Sequence, residues 1–328
     1  MTVMASFFYN LNTGKINFRA MKKKLAILTL NIFCASMVLS GQQVADTNYC
    51  PAIINPAYAA GKGPVVFIDE GHNNFHTMGG RYRPFATLVE RDGYRVRPCT
   101  GTFTASSLNG CRILVISNAL NEFNIQRWYK PVMPAFTPEE VETVREWVNE
   151  GGSLFLIADH MPMGGAAKNM AAAFDFSFTD GFAMDTTHRG PAFFYRSDNT
   201  LSDNIITDGR NIKERVDSIA SFTGQAFQLP AGATSIMKLS PGYMLMLSDT
   251  AWVFDSTTKY TDISGWSQAA YRKYGKGRVV VCGEAAMFSA QLAGPQKMPA
   301  GMNSPVAKDN HQLLLNIIHW LDFLTSDR

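Results

Sequence analysis

The chain lacks most of the short motifs that would identify a chemistry directly. It has five cysteines and no Cys-x-x-Cys pair, which argues against a zinc ribbon and a thioredoxin-like redox site. It also has no Gly-x-Ser-x-Gly elbow, no P-loop and no dinucleotide-binding glycine pattern. The usual serine α/β-hydrolase class and the cofactors ATP and NAD are therefore not supported.

Acidic residues are absent before Gly41, although five basic residues lie there. The rest of the chain carries 25 basic and 27 acidic residues, so the formal charge of +3 comes from this leader alone. An excess of basic residues that is confined to the leader gives no reason to expect nucleic acid as a partner.

The leader, residues 1–41, has the pattern of an export signal. The basic start Lys22–Lys24 precedes a short apolar stretch, and small residues suited to cleavage follow at Ser40 and Gly41. Met21 stands just before the lysines, which suggests that residues 1–20 are an over-extended gene start. We expect a periplasmic or extracellular protein with no membrane span after leader removal. The alternative is a leader that stays attached as a membrane anchor.

Export permits disulfides. Four cysteines remain after leader removal, and Cys99 and Cys111 could pair, but spacing alone leaves the connectivity open. Cys282 lies inside an apolar run and is expected to be buried.

Beyond the leader, strand and helix patterns alternate and predict an α/β fold. Residues 42–62 are interpreted as an irregular arm, and residues 63–326 as a single domain built on a doubly wound, mostly parallel sheet. Residues 185–275 break the alternation. Short runs such as Tyr243–Leu247 and Ala251–Phe254 predict an inserted β-rich subregion of antiparallel strands beside or beyond the parallel sheet. The predicted strands of the parallel sheet are Val65–Asp69, Tyr94–Pro98, Arg112–Ser117, Ser153–Ala158 and Val279–Gly283. The main predicted helices are Gly80–Asp92, a helix that starts at Thr137 with Glu140 at the capping-box position, and Asn310–Leu324.

Two apolar runs end in carboxylates and imidazoles. Val65–Ile68 is followed by Asp69 and Glu70, with His72 and His76 shortly after, and Leu154–Ala158 is followed by Asp159 and His160. Ligands of open α/β sheets collect outside the carboxyl ends of the strands. The pattern therefore predicts one shared polar site.

Several stretches of the chain resemble a known family. The segments Glu139–His160, Gly275–Glu284 and Asn310–Trp320 resemble class I glutamine-amidotransferase-like proteins, including trehalose-utilisation-type relatives. Asp69–His76, Ala158–Ala167 and Gly283–Gln291 resemble an exported bacterial branch of unknown function. The resemblance implies a flavodoxin-like three-layer sandwich.

The chain departs from this family at the nucleophile. The family's enzymes carry a cysteine at the strand-to-helix elbow, where this sequence reads Ala158-Asp159-His160-Met161-Pro162. The covalent thioester mechanism is therefore not carried over, and we do not expect a Cys-dependent glutaminase.

The strand-end residues could bind a metal ion. His72 and His76 are four residues apart and would share one face of a helix. With Asp69, Asp159 and His160 they offer three to five nitrogen and oxygen ligands, which suits zinc or another divalent ion. Glu70, Glu284 or His160 would then move protons. A metal-free catalytic site and a purely structural role remain open alternatives.

Other polar residues could contact a substrate. Asn73, Asn74 and Asn118 could orient a polar group or simply occupy turns. The amides near Gly164 and Gly165 could form an oxyanion pocket, or the glycines could allow close helix packing. In the insertion, His188 and Arg189 could hold an anionic group, or could simply be solvated at the surface.

Together these features predict a metal-assisted hydrolase of a small polar substrate such as a carbohydrate derivative, amide, ester or lactone. The alternative is a non-catalytic module of the cell envelope that binds a ligand or glycan. The oligomeric state stays open.

Overall fold

The computed structural model describes residues 43–325. The expected leader and its cleavage point therefore lie outside the described residues. From Val44 onward the described residues belong to one compact unit.

The strands are, in chain order, β1 Val44–Ala45, β2 Val65–Asp69, β3 Arg95–Cys99, β4 Cys111–Ser117, β5 Ser153–Ile157, β6 Phe182–Asp185, β7 Ala192–Tyr195, β8 Ser218–Ser221, β9 Thr234–Lys238, β10 Tyr243–Leu247, β11 Lys259–Asp262, β12 Ser267–Tyr274, β13 Gly277–Cys282, β14 Ala290–Ala293 and β15 Met298–Gly301. The α-helices are α1 Arg83–Arg91, α2 Pro138–Asn149, α3 Met163–Ala166, α4 Lys168–Ala172, α5 Ile205–Asp208 and α6 Asn310–Leu321.

A seven-stranded sheet in the order β3-β2-β4-β5-β13-β12-β9 forms the centre of the molecule. The first five strands are parallel, and β12 and β9 continue the sheet in antiparallel pairing. The prediction of an α/β fold with a mostly parallel sheet is confirmed.

Alternate side chains of the parallel strands enter two separate cores. Val66 and Ile68 pack in the core that also contains residues of α1 and α6, whereas Leu114 and Leu156 pack with Val144 of α2. Helices thus cover both faces, so the parallel strands are buried on both sides, as their nearly continuous apolar runs require.

Local signals fix the helices as predicted. Thr137 accepts a hydrogen bond from the backbone N–H of Glu140, and Glu140 accepts one from the N–H of Thr137, which together form a capping box at the start of α2. Gly93 follows α1 with a φ of +99°, and a Cβ there would lie 2.3 Å from the carbonyl oxygen of Tyr58. Only glycine fits at that position.

The inserted region is rich in antiparallel strands. One sheet has the order β11-β10-β6, and β7 pairs with β8. The predicted strand Tyr243–Leu247 is confirmed. A second predicted strand at Ala251–Phe254 is wrong, because this segment turns, with Trp252 at a φ of +64°.

The arm before the domain is irregular except at its start. There β1 pairs with β14, which also pairs with β15. Within residues 43–325, no helix combines the length and the hydropathy that a membrane crossing requires.

Candidate functional site

The carboxyl ends of four neighbouring strands carry polar side chains at one edge of the sheet. Asp69 ends β2, Asn118 follows β4, Asp159 follows β5 and Glu284 follows β13. Asn118 joins two of these ends, since its Oδ1 accepts the backbone N–H of Asp159 at 2.9 Å. The structure therefore places the strand-end residues along one edge, where their side chains divide into two clusters.

The first cluster centres on His72. Its Nδ1 lies 2.9 Å from Oδ1 of Asp69, and its Nε2 lies 2.9 Å from Oε1 of Glu140. Asn74 donates to the other oxygen of Asp69, at 2.9 Å. All four side chains are buried. We call this group the His72 network.

Both ring nitrogens of His72 face carboxylates, which favours the doubly protonated ring. Burial opposes that charge, but the hydrogen bonds and charges of Asp69 and Glu140 outweigh it and raise the pKa of His72. Burial likewise opposes the charge of Glu140, yet its pKa is lowered by hydrogen bonds from Thr137, His72 and Phe103. An imidazolium has no free lone pair, so His72 in this state cannot ligate a metal.

The second cluster consists of His76, Asn118, Asp159 and Glu284. His76 is thus not part of the His72 network. The segment between the two histidines is not helical, and Asn73 there adopts a φ of +48°. Nδ1 of His76 lies 3.3 Å from the amide nitrogen of Asn118. Burial, with a smaller contribution from Arg81, lowers the pKa of His76 to about 3, so its ring is neutral. The helical face that would make the pair metal ligands does not form.

Asp159 and Glu284 form a carboxyl pair in this second cluster. Their strands run in parallel register, with Ile157 opposite Cys282, so the two acids occupy equivalent positions two residues later. Burial raises the pKa of both, and for Glu284 the negative charge of Asp159 raises it further. Two such neighbours cannot both ionise freely, so the pair retains a proton at pH values where an ordinary carboxyl has lost it.

The two acids differ in exposure. Asp159 is partly open to solvent, whereas Glu284 is 1% exposed. Glu284 accepts backbone N–H groups from Ala286 at 2.6 Å, Met287 at 2.9 Å and Phe222 at 3.4 Å. Asp159 is therefore the member of the pair that a substrate can reach.

His160 donates its backbone N–H to Oδ1 of Asp159 at 3.2 Å, while its ring contacts other residues. Its Nδ1 lies 2.8 Å from the carbonyl oxygen of Met161. The ring stacks on Phe182, with centroids 4.4 Å apart, and meets the edge of Trp252 at 4.6 Å. His160 is held by Phe182 of β6 and by Trp252 of the insertion, which no pattern in its own neighbourhood revealed.

These placements do not assemble the expected metal centre. Within residues 43–325, no group of three or more His, Cys, Asp and Glu side chains is arranged to hold a metal ion. The five expected ligands are divided among the His72 network, the second cluster and the aromatic contacts of His160.

Three further candidates form local backbone bonds. Glu70 accepts the backbone N–H of Met78 at 2.7 Å. Asn73 donates to the carbonyl oxygen of Leu120 at 3.2 Å, in the turn conformation that its residue type favours. Asn74 accepts the backbone N–H of His72 at 3.0 Å.

Gly164 and Gly165 lie in the short helix α3, where they allow close packing. A Cβ on Gly164 would lie 2.3 Å from the carbonyl oxygen of Thr179, and one on Gly165 would lie 2.6 Å from Cγ of Asp180. Burial raises the pKa of the neighbouring Asp180 carboxyl to about 6. These contacts fit the close-packing alternative for the two glycines.

His188 and Arg189 line a cavity of about 300 Å³ in the insertion. His188 is exposed and lies 3.1 Å from the carboxylate of Asp185. The cavity also reaches Ser221, Phe222 and Gln268. Ser221 and Phe222 lie at the end of β8 and just after it, and Gln268 lies in β12.

The four cysteines among the described residues are free thiols. Burial raises the pKa of Cys99 to about 11 and that of Cys111 to about 12, and it raises that of Cys282 as well. None of these three is an activated thiolate.

Comparisons with known proteins give a fold. No protein-family model and no curated protein sequence matches the chain. The mmIFT52 N-terminal domain is similar in structure, with a TM-score of 0.54 and 12% identity over 80% of this chain and 99% of that one. A protein from Bacteroides uniformis described as ThuA-like has a TM-score of 0.42 and 12% identity over 83% and 95% of the two chains.

A third similar structure, from Thermoplasma acidophilum, is described as part of a GMP synthase. Its TM-score is 0.41, with 11% identity over 80% of this chain and 96% of that one. At these identities the likeness concerns architecture alone. The chain therefore has the fold of the mmIFT52 N-terminal domain, and its activity has to be argued from its own side chains.

Proposed function

We propose that the chain is a hydrolase of a small polar substrate that works through the carboxyl pair Asp159 and Glu284. The observation that supports this is a partly exposed acid, Asp159, beside a buried acid at the carboxyl edge of a parallel sheet. Strongly shifted carboxyl groups at such an edge are candidates for acid–base catalysis.

The chemistry follows from the shared proton. Asp159, when ionised, takes a proton from an attacking water molecule, and the same proton then passes to the leaving group as its bond to the substrate breaks. Burial and the charge of Asp159 raise the pKa of Glu284, so Glu284 holds the proton of the pair and Asp159 is the member that ionises as the base. Asn118 donates to Oδ2 of Asp159 at 3.4 Å and accepts its backbone N–H, which fixes the carboxyl group in place.

We also propose that the chain is an exported member of the glutamine-amidotransferase-like group that lacks the nucleophilic cysteine. What supports this is the position of Asp159 and His160, directly after β5, where the resembling family carries that cysteine. The basic and apolar leader supports export.

The metal-assisted version of the proposal, with zinc as the first candidate, requires a rearrangement. His72 would have to release Asp69 or Glu140, which hold its two ring nitrogens. Metal analysis of the purified protein tests this version. A preparation that takes up neither zinc, manganese nor nickel ends it.

The catalytic proposal is tested with Asp159→Asn, Glu284→Gln and the control Glu70→Gln. The assay measures hydrolysis of a panel of amides, esters, lactones and glycosides. Removing a general acid–base lowers kcat by about 10²- to 10⁴-fold, which is the result expected for Asp159→Asn. Glu284→Gln should lower kcat far less than Asp159→Asn, because Glu284 is buried and does not reach the substrate, and it should remove the titration of Glu284 from the pH profile.

Glu70→Gln should keep kcat and the pH profile, because Glu70 bonds a backbone amide outside the pair. Hydrolysis that survives Asp159→Asn at the rate of the unaltered protein would contradict the proposal, as would the lack of turnover across the whole panel.

A second candidate is the ligand- or glycan-binding module, which the bonding of Glu284 favours. A carboxylate that accepts three backbone amides can serve mainly to shape the loop after β13. A binder would show ligand affinity without turnover, and Asp159→Asn would then change affinity alone.

A further inference from the structure

The cavity of about 300 Å³ in the insertion is a separate feature from the carboxyl pair. Met184, Phe222 and Tyr243 give it an apolar wall, and Ser221 and Gln268 are buried polar groups on its lining. Its volume is at the lower end of the range of small-molecule pockets. It therefore suits a ligand of about one sugar ring that has both polar and apolar faces.

The cavity wall carries two charged residues, Asp185 and Arg189, and they differ in their hydrogen bonds. Oδ1 of Asp185 accepts the N–H groups of Thr187 and His188 and the hydroxyl of Thr187, while its Oδ2 lies 3.1 Å from the ring of His188. These hydrogen bonds lower the pKa of Asp185 against the effect of burial, so it stays ionised and already paired. Arg189, which also lines the cavity, has no hydrogen-bond or ion-pair partner among residues 43–325. Its guanidinium is the cation of the wall that is open to a ligand.

The cavity adjoins the carboxyl pair. Phe222 lines it and donates its backbone N–H to Glu284 at 3.4 Å. Gln268, which also lines the cavity, accepts with its backbone carbonyl oxygen the backbone N–H of Gly283, the residue before Glu284, at 2.7 Å. One layer of residues thus separates the cavity from the acid.

We infer that this cavity binds a small hydroxylated carboxylic acid, such as a sugar acid, with Arg189 as the anchor for its carboxylate. Guanidinium matches a carboxylate with two parallel hydrogen bonds. Ser221 donates its hydroxyl to Oε1 of Gln268 at 2.8 Å, which leaves the Ser221 oxygen as an acceptor for a ligand hydroxyl group. Tyr243 and Phe222 cover the C–H face. This inference goes beyond the proposed hydrolase, because it assigns a ligand to a second site whose lining contains neither Asp159 nor Glu284.

The experiment measures binding to the resting protein, so its outcome is independent of turnover. D-glucuronate is titrated by calorimetry against the full chain, with D-glucose as the neutral counterpart. Glucuronate is expected to bind more tightly than glucose, and to weaken as salt rises, because the anchor is exposed.

Arg189→Gln should weaken glucuronate binding on the order of tenfold, the cost of losing a charged hydrogen-bond donor. The matched control is Arg97→Gln on the edge strand β3, another exposed arginine, which should leave binding unchanged. Equal binding of glucuronate and glucose, no binding of glucuronate, or equal effects of the two substitutions would overturn the inference. Loss of catalysis in Asp159→Asn with glucuronate binding retained would leave the inference intact.

Discussion

At the scale of single residues, three histidines near one sheet edge have three different environments. His72 lies between two carboxylates, His76 is neutral beside Asn118, and His160 stacks on aromatic rings. Their side chains are chemically identical, so only the neighbours decide which is charged. Metal-ligand spacing in the sequence does not report those neighbours.

His72→Gln should destabilise the fold by about 3 kcal/mol at pH 6, because it leaves Asp69 and Glu140 buried without their cation. The raised pKa of His72 means that its contribution is complete below pH 6.5 and is lost as pH rises through the folded-state pKa. The difference from the unaltered protein should therefore shrink towards pH 9. Urea unfolding at several pH values measures both effects.

His188→Gln is the matched control for that series. His188 is 83% exposed, so its replacement should change the free energy of unfolding by less than about 0.5 kcal/mol. A cost for His72→Gln that stays constant between pH 6 and pH 9 would show that the ring is not held as a cation.

The residue identities at the edge could be predicted, but their partners could not. Asp69, Asp159 and Glu284 were identified because each follows an apolar strand, and the strands share an edge for a general reason. Glu140 was recognised only as a capping residue, since a capping box spans three residues. Its contact with His72 joins positions 68 apart in the chain, which no local pattern encodes.

At the scale of elements, the short helix α3 packs closely against its neighbours because its two glycines have no side chain. Gly164→Ala would place a methyl group 2.3 Å from the carbonyl oxygen of Thr179. Overpacking of this kind costs about 1–3 kcal/mol, and thermal unfolding would show it as a lower Tm. Gly79→Ala is the control, because no atom lies within 4 Å of its added Cβ. Equal stability of the two variants would contradict the packing role.

Elements with strong local signals were predicted well. The capping box sets the start of α2, and β10 has its predicted bounds because its apolar run ends in turn residues. The prediction of a strand at Ala251–Phe254 was wrong because tertiary contacts determine the structure of this segment. Its apolar residues pack as a turn, where Trp252 and Phe254 contact Phe182, instead of pairing as a strand.

At the scale of the whole molecule, the alternation of strands and helices predicted the parallel part of the sheet. It left open whether the antiparallel strands of the insertion lie beside or beyond that sheet, because such strands carry weak and irregular patterns; β12 and β9 extend it. A break in register marks their pairing near Ala269. The joining of insertion and sheet depends on contacts that only the folded chain makes.

Expression of the full chain in a bacterial host tests export. We expect the mature protein in the periplasmic or extracellular fraction, with N-terminal sequencing giving a start near Ser40 or Gly41, because small residues there suit signal cleavage. Replacing Lys22–Lys24 by glutamine should impair processing, whereas replacing Lys15 and Arg19 should not. An unprocessed chain in the membrane fraction would instead support an anchor.

The pairing of β1 with β14 has a practical consequence for anyone who shortens this protein. Val44 and Ala45 lie opposite Leu292 and Gln291, and Asp46 donates its N–H to Ala290. A version that starts at the first strand of the main sheet would strip this cover from β14 and leave a row of unsatisfied amides and carbonyls. Such uncovered edges recruit other strands, so aggregation during purification would follow from the trimming and would say nothing about the stability of the central sheet.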